Sequence, residues 1–301
     1  PYTSSAASDV YKRQRYWLLL IFLGAIWGSA FMFIKIATPD LGPVFLVNIR
    51  LFIAGLMFLP ILLQSKYLKL LRSNLRNIIF LAVINNALPF TLFSYASLFS
   101  SSNMLAIFNG STAIITAIIS VLWLKNKISR IQFIGVLTGL IGIIVLANPT
   151  NIYTTLTASI SCILAASCYA LSANFIEKYA FKTNAVVLIG WSLIFASLIL
   201  IPFSLFNLPS QFPSAQTIFS VLWLALISTG LAFFGYIRLI EKIGAVKTST
   251  VAYFIPIFGV IWGYIFLQEE ISSRILSGMI LIILGIIFTN RQYEKHKRII
   301  N

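Results

Sequence analysis

Ten apolar stretches, each about the length of a membrane-spanning helix, alternate with short polar segments along the chain. An α-helix rises about 1.5 Å per residue, so roughly 20 apolar residues are needed to cross the hydrocarbon core of a bilayer. The pattern therefore predicts an all-α polytopic membrane protein with ten transmembrane helices. The predicted spans are 16–37, 43–63, 76–98, 103–124, 130–148, 156–177, 183–206, 217–240, 246–267 and 273–290.

Basic residues gather in alternate segments between these stretches. Of the 22 Lys and Arg residues, 19 lie before the first stretch, after the last one, or in the segments that follow the even-numbered stretches. Cytoplasmic loops of membrane proteins carry this excess of positive charge. We therefore expect an integral protein of the bacterial cytoplasmic (inner) membrane, with both the N- and the C-terminus in the cytoplasm.

The composition agrees with a membrane protein and argues against other classes. Charged residues make up 10% of the chain, against about 25% in soluble domains. The net charge of +15 is explained by the basic loops, so we expect no nucleic-acid partner. His296 is the single histidine, which excludes a His-based metal or catalytic cluster. We expect no metal site, no cofactor and no catalytic residue. Residues 1–14 form a polar leader that does not look native and is excluded from the fold prediction, and 291–301 form a basic cytoplasmic tail.

The two halves of the chain repeat. A shift of 143 residues lays 121–145 on 264–288 without a gap, with seven identical pairs among 25. We divide the chain into a first five-helix repeat at 15–148 and a second at 149–290. Because each repeat has an odd number of helices, the second copy enters the membrane in the opposite orientation. Such inverted repeats are a common architecture of secondary transporters.

Three segments resemble one known family. GAIWGSAFMFIK (24–35), RLFIAGLMFLP (50–60) and FLQEEISSRILSGMILIILGIIF (266–288) are similar to the first helix, the second helix and the helix nine to ten junction of EamA-type transporters. These belong to the drug/metabolite transporter superfamily. The resemblance covers about 15–290. It implies two inverted five-helix repeats and the efflux or exchange of small metabolites.

Two positions of the second repeat match residues of that family. Glu269 takes the place of the family's junction glutamate, whereas the matching residue of the first repeat is Asn126. Pro256 matches the family's midmembrane proline in helix nine. The neighbouring Glu270 is interpreted as a marker of the outer side, because the same turn of the first repeat, which faces the cytoplasm, is basic.

Polar or helix-breaking residues recur at matching depths of the two repeats. The third span contains NNALP at 85–89, and the same shift places 85–87 on 228–230 in the eighth span. The fourth span contains NGST at 109–112, whose counterpart in the ninth span precedes a proline. Interrupted helices near the bilayer midplane mark the binding sites of inverted-repeat carriers. The alternative is close helix packing through small polar residues. The candidate cavity residues are Asn85, Asn86, Asn109, Thr112, Thr229 and Pro256.

Arg50 is the charged residue that lies deepest in a span, roughly 10 Å from its outer end. Such a charge usually faces a water-filled cavity or a partner, where it can bind a substrate carboxylate or phosphate. The alternative is that its side chain snorkels to the outer interface, as we expect of Lys35. Trp27 and Tyr169 match at a shift of 142 residues and are candidate walls of the cavity.

These observations favour a secondary transporter that moves a small polar metabolite by alternating access. An amino-acid-like solute and efflux are the leading hypotheses. The alternative is a facilitator or exchanger for another metabolite, a sugar-nucleotide or a drug, and a membrane enzyme fits the sequence least. The expected partners are the solute and the lipid bilayer. The sequence leaves open whether the protein forms a homodimer.

Overall fold

The computed structural model describes residues 2–126, 128–147, 152–180 and 183–290, and every regular element in these ranges is helical. We number the ten main helices α1 to α10 in chain order. A one-turn helix, Ala245–Thr248, precedes α9. The bounds are α1 Tyr2–Leu41, α2 Pro43–Leu62, α3 Ser65–Ser97, α4 Ser102–Leu124, α5 Arg130–Ala147, α6 Ile152–Phe175 with its π-helical end Ile176–Ala180, α7 Ala185–Leu205, α8 Ala215–Ile243, α9 Val251–Leu267 and α10 Ser273–Asn290.

Each predicted span corresponds to one of these helices, which confirms the ten-helix prediction. Within the described residues, seven helices are long and apolar enough to cross a membrane. The other three, α5, α9 and α10, are shorter apolar helices. Pro43 begins α2, where its missing N–H leaves no hydrogen bond unmade.

Three helix starts differ from the prediction by five residues or more. α1 begins at Tyr2 rather than at 16, because the polar segment before the span contains no Gly or Pro that would end a helix. α3 begins at Ser65 rather than at 76, since its first turns are amphipathic and basic rather than apolar. α9 begins at Val251 rather than at 246, because a turn separates it from the one-turn helix.

The packing of the helices follows the internal repeat. For most of the larger contacts between two helices, the helices at the matching positions of the other repeat are also in contact. α2 packs against α7, α4 against α9 and α5 against α10, so each of these pairs joins matching helices. α1 packs against α9 as α6 packs against α4, and α3 packs against α6 as α8 packs against α1. The interface between the repeats therefore runs through the centre of the bundle.

Glycines allow the backbones of two such pairs to touch. At Gly28 of α1, an added Cβ would lie 2.8 Å from the backbone nitrogen of Gly259 in α9. At Gly285 of α10, it would lie 2.8 Å from the Cα of Gly139 in α5. Membrane helices commonly associate through small residues in this way, because no water is released when apolar surfaces meet in lipid.

Two helices contain a π-helical segment at matching places. The segments are Ala82–Ala87 in α3 and Trp223–Leu231 in α8. The 143-residue shift lays 82–87 on 225–230, inside the second segment. By contrast, α4 and α9 continue as regular α-helices through 109–112 and Pro256. A π segment displaces the backbone hydrogen bonds of one turn and occurs frequently at functional sites.

Candidate functional site

Arg50 of α2 is enclosed in the centre of the bundle, with only 6% of its surface exposed. Its Nε donates a hydrogen bond of 2.9 Å to Oγ1 of Thr229 in α8. Its guanidinium carbon lies 4.2 Å from the centre of the Phe90 ring in α3. The snorkelling alternative for Arg50 is therefore wrong, because the side chain turns inward to another helix and an aromatic face.

The π segment of α8 explains why Thr229 can accept this bond. Its hydroxyl donates to the backbone oxygen of Leu224, five residues earlier, at 2.7 Å. The hydroxyl proton is thereby used within the π segment, and the lone pairs of the hydroxyl oxygen remain available to Arg50. One residue thus connects the irregular turn to the buried charge.

Tyr169 of α6 completes what we call the Arg50 cluster, which consists of Arg50, Phe90, Tyr169 and Thr229. The centroids of the Tyr169 and Phe90 rings are 6.3 Å apart in an edge arrangement. Tyr169 also stacks beside Phe93, with ring centroids 6.2 Å apart.

The two asparagines of the α3 π segment connect to the other repeat. Asn86 is 1% exposed, and its Nδ2 donates to Oγ of Ser192 in α7 at 2.9 Å. Asn85 accepts a hydrogen bond of 2.8 Å from Oγ of Ser172 in α6 and donates to Oδ1 of Asn86 at 3.4 Å. Both candidates therefore bind polar groups between the repeats.

These two connections between helices are counterparts in the repeat. Asn86 lies on Thr229 at a shift of 143, and Arg50 lies on Ser192 at a shift of 142. The Asn86–Ser192 bond thus corresponds to the Thr229–Arg50 bond. The sequence analysis missed Ser192, which the repeat could have revealed. It also missed Phe90, for which the sequence carries no comparable signal.

Trp27 of α1 binds the same irregular turn of α8. Its Nε1 donates to the backbone oxygen of Ser228 at 2.9 Å. Its ring lies 5.2 Å from that of Tyr236 and 6.0 Å from that of Phe233, measured between centroids. The indole is therefore held against α8, next to the Arg50 cluster.

The candidates of α4 and α9 are not joined to this cluster by any hydrogen bond or ring contact within the described ranges. The Asn109 amide is partly exposed and has no hydrogen-bond partner there. The Thr112 hydroxyl is enclosed and likewise lacks a described partner. Pro256 is buried, and its Cγ would lie 3.8 Å from a Cβ added at Gly110. Among the described side chains, no group of three His, Cys, Asp or Glu residues could hold a metal ion.

Glu269 lies away from the cluster and caps a helix of the other repeat. One carboxylate oxygen accepts from the backbone N–H of Ser102 at 2.6 Å, and the other accepts from Ser102 Oγ at 3.0 Å and from the N–H of Asn103 at 2.9 Å. The negative charge thus occupies the positive end of α4. Glu270 beside it is exposed.

Lys35 binds the C-terminal end of α3. This contact lies on the same side of the bundle as Glu269, which we call the Glu269 end. Its ammonium donates to the backbone oxygens of Ser97 at 2.6 Å and Ser100 at 2.8 Å, where α3 terminates. The side chain is partly buried. The ammonium is thus bound by carbonyls left without helical partners at the end of α3.

Both ends of the bundle carry a matched polar contact between the repeats. At the Glu269 end, Asp40 in the last turn of α1 accepts a hydrogen bond from Oγ1 of Thr217 in α8. At the opposite end, Thr183 donates a bond of 3.0 Å to Oδ1 of Asn74 in α3. The 143-residue shift carries Asp40 to Thr183 and Asn74 to Thr217, so the two contacts are counterparts.

Comparison with known proteins gives consistent matches along the whole bundle. The EamA-like transporter family matches twice, at residues 15–148 and 156–291. A Bacillus subtilis protein called uncharacterized transporter YoaV is 25% identical over 92% of this chain and 97% of its own length. An uncharacterized transporter of Archaeoglobus fulgidus is 24% identical over 92% of this chain and 99% of its own length. A solved crystal structure with 14% identity superposes with a TM-score of 0.62 and covers 92% of this chain and 97% of its own, which shows the same fold.

Proposed function

Because this chain belongs to the EamA-like transporter family, we propose that it is a secondary carrier that moves a small polar metabolite across the membrane by alternating access. The observation that carries the proposal is the set of polar contacts that links both π segments to the opposite repeat at the centre of the bundle. Polar groups buried between inverted repeats are where carriers of this architecture bind their solutes. An amino-acid-like solute fits a site that offers hydrogen-bond donors, acceptors and aromatic walls.

The matched contacts at the two ends support alternating access. Asp40–Thr217 and Thr183–Asn74 join the repeats at opposite ends of the bundle and are related by the internal repeat. A rocking motion of one repeat against the other would open one contact while the other holds. The central cluster would then face each side of the membrane in turn.

We propose uncoupled movement of the solute, with efflux as its direction. The acidic residues with described contacts at the Glu269 end, Asp40 and Glu269, hold helix ends and lie away from the Arg50 cluster. A buried carboxylate is the usual proton carrier within membrane helices. Flux that collapses with the proton gradient, and is lost on Glu269→Gln, would contradict uncoupled movement.

The distribution of basic residues supports an orientation with both termini in the cytoplasm of a bacterium. The Glu269 end would then face the outside. A C-terminal fluorescent-protein fusion should fluoresce, and the matching alkaline phosphatase fusion should be inactive, because the first reporter folds in the cytoplasm and the second outside it. The reverse pattern would overturn this orientation.

Reconstituted protein tests the carrier proposal directly. Purified full-length chain in liposomes is preloaded with unlabelled solutes, and the uptake of labelled amino acids and other metabolites by exchange is measured. We expect saturable flux of at least one solute, which Asn86→Ala reduces and Arg238→Gln, a change at an exposed residue of α8, leaves intact. Absence of saturable flux across a broad panel would sink the proposal. Chemical conversion of a solute without movement would instead favour a membrane enzyme.

A further inference from the structure

Arg50 carries a permanent positive charge, and only one of its three guanidinium nitrogens donates a hydrogen bond to a described residue. A guanidinium stays protonated in proteins, so burial does not remove its charge. Its Nε is bonded to Thr229, but neither terminal nitrogen has a hydrogen-bond partner among the described residues. Neither terminal nitrogen is among the completely buried polar atoms that lack a partner in the described residues. Both nitrogens therefore keep some surface accessible to water and have unused donor capacity.

No described side chain supplies the counter-charge. Asp40 and Glu269 are engaged at one end of the bundle, and the other described acidic residues, Glu177, Glu241 and Glu270, are exposed. No acidic side chain in the described part of the chain forms a salt bridge with Arg50. The Phe90 ring offers only the weak attraction of its π face. A buried cation in this setting is stabilised by an anion that comes from outside the chain.

We propose that the Arg50 cluster binds a single carboxylate of the transported solute through the two terminal nitrogens of Arg50. The proposal rests on the carrier function proposed above and specifies the charge of its solute. The planar fork of a guanidinium matches the two oxygens of a carboxylate in a bidentate pair. The hydroxyl of Tyr169, which has no hydrogen-bond partner among the described residues, is a second donor of the same cluster.

Charge balance selects a carboxylate over a phosphate monoester. A phosphate monoester carries about −1.5 to −2 at neutral pH, whereas a carboxylate carries one negative charge. Lys35 of α1 is held by the carbonyls at the end of α3. One guanidinium thus neutralises a carboxylate fully but leaves a phosphate with excess charge in a medium of low polarity.

The rings around Arg50 suit an apolar body attached to that carboxylate. Phe90, Phe93 and Tyr169 form consecutive ring contacts beside the guanidinium. Phe31 of α1 extends the wall, with its ring centroid 5.3 Å from that of Phe93. A solute with an aromatic or branched apolar body can pack there while its carboxylate pairs with Arg50.

A matched series of small probes tests the charge requirement on the purified full-length protein in detergent. Benzoate, benzamide and phenyl phosphate share one ring and differ in the attached group. Binding is followed by tryptophan fluorescence, with calorimetry as the second readout. We expect benzoate to bind at least about 10-fold more tightly than benzamide, since a hydrogen bond to a charged group typically contributes that much or more. We also expect it to bind more tightly than phenyl phosphate, whose excess negative charge would stay unpaired. Equal binding of benzamide would overturn the proposal, and tighter binding of phenyl phosphate would show that the group recognised is a phosphate.

Two variants locate the binding at Arg50. Arg50→Gln should weaken benzoate binding about 10- to 100-fold, and Arg50→Lys should weaken it less because it keeps the charge but loses the fork. Tyr169→Phe, which removes only a hydroxyl, gives a second measurement if Arg50→Gln does not fold. Arg238→Gln is the control for a general effect of charge. Unchanged benzoate affinity in folded Arg50→Gln would refute the assignment.

Failure of this proposal is distinguishable from failure of the carrier function. Saturable flux of a solute without a carboxylate, undiminished in Arg50→Lys, would reject the carboxylate site and keep the carrier. Benzoate binding that depends on Arg50, together with no flux of any solute, would reject the carrier and keep the site.

Discussion

Glu269→Gln should loosen the first turn of α4, although the substitution lies at the end of α9 in the other repeat. The native carboxylate accepts three hydrogen bonds, from the backbone N–H groups of Ser102 and Asn103 and from the Ser102 hydroxyl. Glutamine keeps one oxygen and replaces the other by an NH2 group, which cannot accept a bond from an N–H. One acceptor and the negative charge are therefore lost together.

The cost can be worked out from these contacts. A hydrogen bond to a charged group contributes about 1.5–3 kcal/mol, and a charge near a helix N-terminus adds about 0.3–1 kcal/mol. The oxygen that remains offsets part of the loss, so we expect about 2–3 kcal/mol less protection against opening of this turn. At about 1.4 kcal/mol per factor of ten, this corresponds to roughly 30- to 140-fold.

Amide hydrogen exchange of the protein in lipid nanodiscs measures this opening. The amides of Ser102 and Asn103 should exchange roughly 30- to 140-fold faster in Glu269→Gln than in the native chain. Glu270→Gln is the matched control, because it removes the same charge from the adjacent, exposed position. If both variants change the exchange rate of these amides by the same small factor, the Glu269 carboxylate does not cap α4.

Three further outcomes follow from the same packing. Gly263→Ala should lower the thermal unfolding midpoint of the protein in detergent, because the new Cβ would lie 2.7 Å from a carboxylate oxygen of Glu269. A midpoint unchanged relative to an alanine substitution at an exposed position of α9 would contradict this. Thr183→Val removes one hydrogen bond to Asn74, worth about 0.5–1.5 kcal/mol, so thiol labelling of a cysteine introduced beside it should increase while labelling at the Glu269 end does not. An equal increase of labelling at both ends would argue against the alternating opening of the two ends. Trp27→Phe keeps an aromatic ring but loses the bond to the π segment of α8, and exchange flux should fall about 2- to 10-fold with the protein still folded. Full flux in this variant would show that the indole N–H has no part in the cycle.

The hydrophobic pattern was sufficient to predict the helices of this protein. In lipid, every backbone N–H and C=O of a span has to be paired within the segment, so a long apolar stretch has helix as its main solution. The predicted helix starts were wrong where a helix extends into residues that are not apolar, as at Tyr2 of α1 and Ser65 of α3. They also failed where a turn interrupts the chain before Val251. Neither feature changes the apolar count on which the prediction rested.

The sequence by itself also determined which positions correspond in the two repeats, because a constant shift survives in the order of residues. That shift connects Asp40 with Thr183 and Asn74 with Thr217, and it places the two π segments at matching depths. Only the tertiary structure decided what these positions contact. Arg50 meets Thr229 across 179 residues of chain, and Glu269 meets Ser102 across 167. Such partners are chosen by helix packing and by the direction in which each side chain leaves its helix, and a linear pattern of polarity contains neither.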